Sequence, residues 1–190
     1  MFCGFEFSLQ KFIIIIMNEQ SDLNFNIGSD SESSDYQNLS YQILAKINTL
    51  SQTGFEQLIT DLLIRMGYEV YKNARRRTAS SAIQGIIVED RPGYNPIYIQ
   101  ARKLEKGSII TSWNMQTFGD AVTRKAGRGL LVTNASFSKP AQDYAKEKHI
   151  ILIDGHILVR LMIINNFCVN VREVVEFKSI DPAAFKDYEI

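Results

Sequence analysis

Ile83-Gln84-Gly85-Ile86-Ile87-Val88 and Ile97-Tyr98-Ile99-Gln100-Ala101-Arg102-Lys103 flank the turn Asp90-Arg91-Pro92-Gly93. β-Branched and aromatic side chains dominate both runs, and Asp-x-Pro-Gly chemistry reverses the chain between them, so residues 83–101 read as a β-hairpin. Beyond the hairpin, helix and strand signals alternate. A helix is expected over about 113–126, with Ser112 as its cap. Gly129–Thr133 and Ile150–Ile153 are short apolar runs of the kind found in strands covered on both faces. Between them, Lys139 to Lys148 reads as a helix with Pro140 in its first turn. Asp154 to Asn165 reads as a last long helix, and residues 168–178 as a terminal strand.

Before the hairpin, apolar residues recur at helical spacing. Leu39, Ile43, Leu44, Ile47 and Leu50 form one stripe, and Phe55, Leu58, Ile59, Leu62, Leu63 and Met66 a second. Ser51-Gln52-Thr53-Gly54 separates them, and Gly67 stands where a helix-ending glycine belongs. Glu69-Val70-Tyr71 opens an extended segment, followed by a basic stretch with Lys72, Arg75, Arg76 and Arg77. Helices preceding and following a hairpin and alternating with buried strands predict an α/β domain, a central mixed sheet with helices on both faces.

Composition sets the outer bounds. A chain of 190 residues with 45% hydrophobic content holds one ordinary domain plus a tail. The apolar patch Phe12 to Met17 is too short to cross a bilayer and lacks a signal-peptide cleavage site. Translation from Met1 and from Met17 are equal readings, so residues 1–16 stand apart from the rest. Residues 18–38 are rich in Asn, Ser and Asp and read as linker or disorder. The expected division is a tail over 1–38 and a folded domain over 39–190. Cys3 and Cys168 are far apart and in no metal spacing, which excludes a disulfide scaffold and points to a reducing, cytoplasmic setting. Zero net charge conceals an asymmetry. Residues 18–36 carry five acids (Glu19, Asp22, Asp30, Glu32 and Asp35) and no base, whereas residues 37–190 carry 20 bases against 15 acids. A mildly basic domain is compatible with nucleic acid as a partner.

The stretch Ala82 to Gly93 followed by Ile97 to Lys103 resembles the nuclease core of the Mrr family of restriction endonucleases. So do Gly54-Phe55-Glu56-Gln57-Leu58 with Met66-Gly67-Tyr68, Gln116-Thr117-Phe118, Gly129–Thr133 with Ser136-Phe137-Ser138, and Ile153-Asp154-Gly155 with Leu161-Met162. The resemblance runs over about 150 residues in order. It implies a restriction-endonuclease-like fold of the PD-(D/E)XK superfamily that cuts double-stranded DNA, in some members only when the DNA is methylated. It also implies a divalent-metal cofactor, Mg²⁺, and no small-molecule cofactor. A homodimer is a candidate assembly, because cutting both strands commonly takes two such sites. No membrane is implied.

In that superfamily an Asp on one hairpin strand and a Glu or Gln on the next hold the metal, and a Lys two residues further on assists the attacking water. The metal lowers the pKa of water and neutralises developing charge, and a hard dication wants carboxylate oxygens. Period-two alternation places the second ligand and the Lys on one face. Laid on this sequence, the Asp position holds Gln84, the second ligand position holds Gln100 and the Lys position holds Arg102. Gln100 matches the family, but with Gln84 at the Asp position the hairpin supplies no anionic ligand, and an always-charged guanidinium replaces a group able to release a proton. Ala79, Ser81 and Ala82 stand where the family's loop is glycine-rich. Glu56 matches a family acid on the helix and is a further candidate ligand. Lys103, next to Arg102, is expected to face away from it. Glu89 and Asp90 are expected to be turn residues.

Three functions follow from this reading. The first is a DNA-binding domain with catalysis impaired or lost, gripping phosphate through Lys72, Arg75, Arg76, Arg77 and Lys103. The second is an active Mg²⁺-dependent endonuclease with a relocated site built from Glu56, Gln100 and Arg102 or Lys103. The third is a non-enzymatic interaction or decoy subunit. Trp113, the sole tryptophan, is expected to pack in the core rather than stack on a base, and His149 and His156 are expected to be structural or surface residues.

Overall fold

The computed structural model describes residues 30–72, 85–87 and 96–170, with the side chains of 36–71, 85–87 and 96–170. Helix α1 covers Asp30–Thr49 and α2 covers Gln52–Arg65. Between them Ser51 caps α2, its Oγ accepting from the Gly54 amide at 3.0 Å. Helix α1 begins nine residues before the stripe at Leu39, inside the expected linker. No Gly or Pro interrupts 30–49, so a helix nucleated by its packed C-terminal half propagates back into the polar residues. Gly67 ends α2 with φ of 90°, as its position predicts.

Five strands form the main sheet: β1 (Val70–Lys72), β2 (Gly85–Ile87), β3 (Ile97–Arg102), β5 (Arg128–Thr133) and β7 (Ile150–Ile153), adjacent in that order. β2 pairs antiparallel with β1 and with β3, Gly85 opposite Ile99 and Ile87 opposite Ile97. β3, β5 and β7 run parallel. The hairpin and the mixed α/β sheet are therefore as expected; the turn 90–93 and Glu89 lie outside the described residues. Two short strands escaped the sequence reading. β4 (Ile109–Ile110) and β6 (Ser136–Phe137) pair parallel in a separate two-stranded sheet. Two residues are too few to show a period. No strand occurs over 168–170, and the rest of the expected terminal strand is outside the described residues.

Helix α3 covers Ser112–Arg124, α4 covers Lys139–Glu147 and α5 covers Gly155–Ile164. The cap of α3 is Thr111, not Ser112. Asn114 Oδ1 accepts from the Thr111 amide at 3.0 Å and from its hydroxyl at 2.8 Å, which fixes the helix one residue earlier than expected. Helices α1, α2 and α5 cover one face of the sheet, burying Phe55, Ile59, Leu62 and Leu158 against Ile97, Ile99 and Ala101. Helices α3 and α4 cover the other, burying Met115, Phe118 and Ala141 around Tyr98 and Leu131. Alternate residues of β3 thus serve different cores. Among the described residues no helix is long and apolar enough to cross a membrane.

Four helices, α2 to α5, end in a left-handed residue, but only α2 uses glycine: Ala126, His149 and Asn166 take φ of 48°, 53° and 48° after α3, α4 and α5. Ala126 is solvent-exposed, so only its backbone is at stake. Ala126→Gly is expected to stabilise the domain by about 1 kcal/mol, because a left-handed L-residue costs about 1–2 kcal/mol that glycine avoids. Gly155→Ala should act oppositely. A Cβ there would lie 2.5 Å from the Asn134 carbonyl oxygen, and backbone cannot yield as a side chain can. Thermal unfolding of both variants, one midpoint up and one down, checks the pair.

Candidate active site at the end of β3

Four of the residues singled out for chemistry, Glu56, Gln100, Arg102 and Lys103, lie where β3 leaves the sheet. Ile97, Ile99 and Ala101 face the α1–α2–α5 core and Tyr98 the α3–α4 core, so Gln100 and Arg102 share the face of Tyr98. Gln100 pairs across the ladder with Leu131, and Arg102 with Thr133. Both are half-buried. Arg102 Nη1 donates to the Asn114 carbonyl of α3 at 2.8 Å, tying the guanidinium to the start of that helix.

Past Arg102 the strand ladder stops, and the backbone groups of residues 103–104 need other partners. Two side-chain amides supply them. Gln52, the first residue of α2, accepts from the Lys103 amide through Oε1 at 2.9 Å and donates from Nε2 to the Ala101 carbonyl at 2.8 Å. Asn134, just after β5, accepts from the Leu104 amide at 2.8 Å and donates to the Leu104 carbonyl at 2.8 Å. Its Nδ2 also donates to Asn48 Oδ1 of α1 at 2.7 Å. The corner between α1 and α2 and the end of β5 thus bracket the chain as it emerges from β3.

Glu56 joins this bracket. It is 8% exposed on α2, and its Oε1 accepts from Gln52 Nε2 at 2.7 Å. The structure therefore brings Glu56, Gln100, Arg102 and Lys103 to one end of β3, but not to one face. Gln52, which anchors Glu56, packs from the side to which Ala101 points. Lys103 lies past the strand with its amide held by Gln52. Lys72 ends β1 opposite Gly85. Gln84, Arg75, Arg76 and Arg77 lie outside the described residues. Sequence reasoning missed Gln52 and Asn134. Nothing in their local context marks them; only the meeting of β3, β5 and the α1–α2 corner makes them partners.

A family model described as a restriction endonuclease, the Mrr catalytic domain, matches residues 47–162. The chain belongs to that family. It is 31% identical over 136 residues to the type IV methyl-directed restriction enzyme EcoKMrr of Escherichia coli (strain K12), an alignment covering 69% of this chain and 44% of the relative. Among solved structures it is similar to the DNA modification-dependent restriction endonuclease AspBHI, at 16% identity and a TM-score of 0.50, over 72% of this chain and 38% of that one. It also matches MspJI in complex with a 27-mer oligonucleotide, at 17% identity and a TM-score of 0.42, over 69% of this chain and 29% of that one. The chain thus spans less than half the length of each. AspBHI supports the restriction-endonuclease fold.

Restriction endonucleases of this kind generally use a divalent metal. The described donors of this Mrr domain do not fit one. Among the described residues no three His, Cys, Asp or Glu side chains gather. The β3 face offers a neutral amide and a fixed cation, Gln100 and Arg102, and the Glu56 oxygen near the strand end is bonded to Gln52.

Asn134→Ala tests the bracket. It strips the Leu104 amide, the Leu104 carbonyl and the Asn48 Oδ1 acceptor of a partner each, and leaving partly buried polar groups unmade costs about 1–3 kcal/mol apiece. A fall in the unfolding midpoint of several degrees is expected, with faster hydrogen exchange at the Leu104 amide. Exchange at Leu104 as slow as in the parent would refute it.

Proposed function

We propose that this Mrr-family domain binds double-stranded DNA with phosphodiester hydrolysis lost or greatly reduced. The observation that carries the reading is the placement of Gln100 and Arg102 at alternate positions of β3, on one face, where among the described residues no group of three His, Cys, Asp or Glu side chains gathers. In this reading Gln84 occupies the place of the metal-binding Asp, Gln100 that of the second ligand and Arg102 that of the catalytic Lys. A guanidinium stays charged at any working pH, so Arg102 stabilises phosphate but does not relay a proton. Lys72, Arg75, Arg76, Arg77 and Lys103 would then grip the backbone by charge, giving affinity that falls steeply with salt.

A relocated active site is the second reading. It is favoured by Glu56, a buried carboxylate held at the end of β3 through Gln52. It would use Mg²⁺, and double-strand scission by such a domain would call for a homodimer. A protein-binding decoy would show a stable fold and no DNA affinity even at low salt.

The deciding experiment installs Gln84→Asp with Arg102→Lys and measures plasmid nicking with Mg²⁺. The parent is expected to bind DNA without cutting, and the double variant to gain metal-dependent cleavage. Efficient cutting by the parent, abolished by Glu56→Gln, would replace this reading with the relocated site.

A further inference from the structure

The expectation that Trp113 packs in the core is wrong. Its side chain is 76% exposed, the most exposed of the large hydrophobic residues described, and Ile109 nearby in sequence is 56% exposed. Position explains how this arises. Thr111 and Asn114 start α3 so that Met115 and Phe118 point into the core, leaving Trp113 on the outer side of the first turn. A large aromatic ring left in water at the start of a helix is open to a partner from outside the described fold.

We propose that Trp113 is a stacking platform for a DNA base unpaired next to the phosphate held at Arg102. The inference rests on the DNA-binding reading above and extends it to a residue outside the nuclease motif. Its geometry follows a short chain of contacts. Gln100 and Arg102 share one face of β3, Arg102 donates to the Asn114 carbonyl at 2.8 Å, and Trp113 is the residue before Asn114. The first turn is locked by the two bonds to Asn114 Oδ1, so the indole has a fixed base next to the guanidinium. A ring preorganised in this way loses little freedom on binding.

The charge around the ring selects the partner. The cation tied to the first turn of α3 is Arg102, 2.8 Å from the Asn114 carbonyl, whereas Lys106 reaches over Tyr41 of α1, 6.0 Å from its ring centroid. A guanidinium tied to the turn that carries an exposed aromatic suits a polyanion with π-faces, the combination used to hold unstacked nucleobases. An apolar protein interface instead excludes charge from its centre. Stacking is blind to base identity, so Trp113 would favour DNA with a displaced or unpaired base without reading sequence.

Trp113 is the sole tryptophan, so the intrinsic emission of the full chain reports on it alone. The protein is titrated with two labelled duplexes, one fully paired and one with a central unpaired base, and tryptophan emission is followed together with label anisotropy. Emission is expected to quench in step with anisotropy, more strongly for the unpaired-base duplex. Trp113→Ala should weaken binding to that duplex at least about fivefold while Trp113→Phe keeps most of it. The salt slope should not change, since no phosphate contact is lost. The ring is exposed, so far-UV circular dichroism of both variants should match the parent. Rising anisotropy with unmoved emission and an unaffected Trp113→Ala variant overturns the stacking role and leaves DNA binding standing. Emission that shifts with protein concentration alone assigns the ring to a second copy of the chain and also overturns it. Silent anisotropy at low salt sinks the DNA-binding reading and this one together.

Discussion

The bracket around the exit of β3 is the constraint on which the candidate site depends. A strand that leaves its sheet abandons hydrogen-bonding groups that must be matched or left costly. Here Gln52 and Asn134 match them with side-chain amides, each offering one donor and one acceptor to peptide groups of the emerging chain. Because Gln52 belongs to α2 and Asn134 follows β5, the same bonds fix the α1–α2 corner against the sheet. The end of β3, with Gln100 and Arg102 on it, is thereby held from two sides. Asn48 extends the bracket to α1.

The two cores then decide which residues meet. Period-two alternation in β3 hands Ile97, Ile99 and Ala101 to one core and Tyr98, Gln100 and Arg102 to the other face. Glu56 meets the end of β3 through Gln52, whose Nε2 also donates to the Ala101 carbonyl. The Tyr98 face carries an amide, Gln100, and a guanidinium, Arg102, and the guanidinium is tied to the start of α3. That tie also relates the strand to the exposed ring of Trp113.

Family membership accounts for the fold and for the class of chemistry from which the domain descends. The chain spans less than half of EcoKMrr, so what the whole relative does is a matter for experiment on this chain and not a property to be carried across.

The sequence by itself determined the hairpin, the mixed sheet and the alternation of helices and strands that follows the hairpin. Those features rest on local signals: helical and strand periods, Gly67 after α2, and Asp-x-Pro-Gly between two apolar runs. It did not reveal where α1 starts, which residue caps α3, the paired dipeptides β4 and β6, or the left-handed ends at Ala126, His149 and Asn166, where tertiary packing overrides weak preferences. Gln52 and Asn134 read as ordinary polar residues, and Trp113 reads as core by its hydrophobicity. Only the tertiary structure decided their roles, because a hydrogen-bond partner 30 to 86 residues away and the side of a helix left open to solvent are set by how elements meet in space.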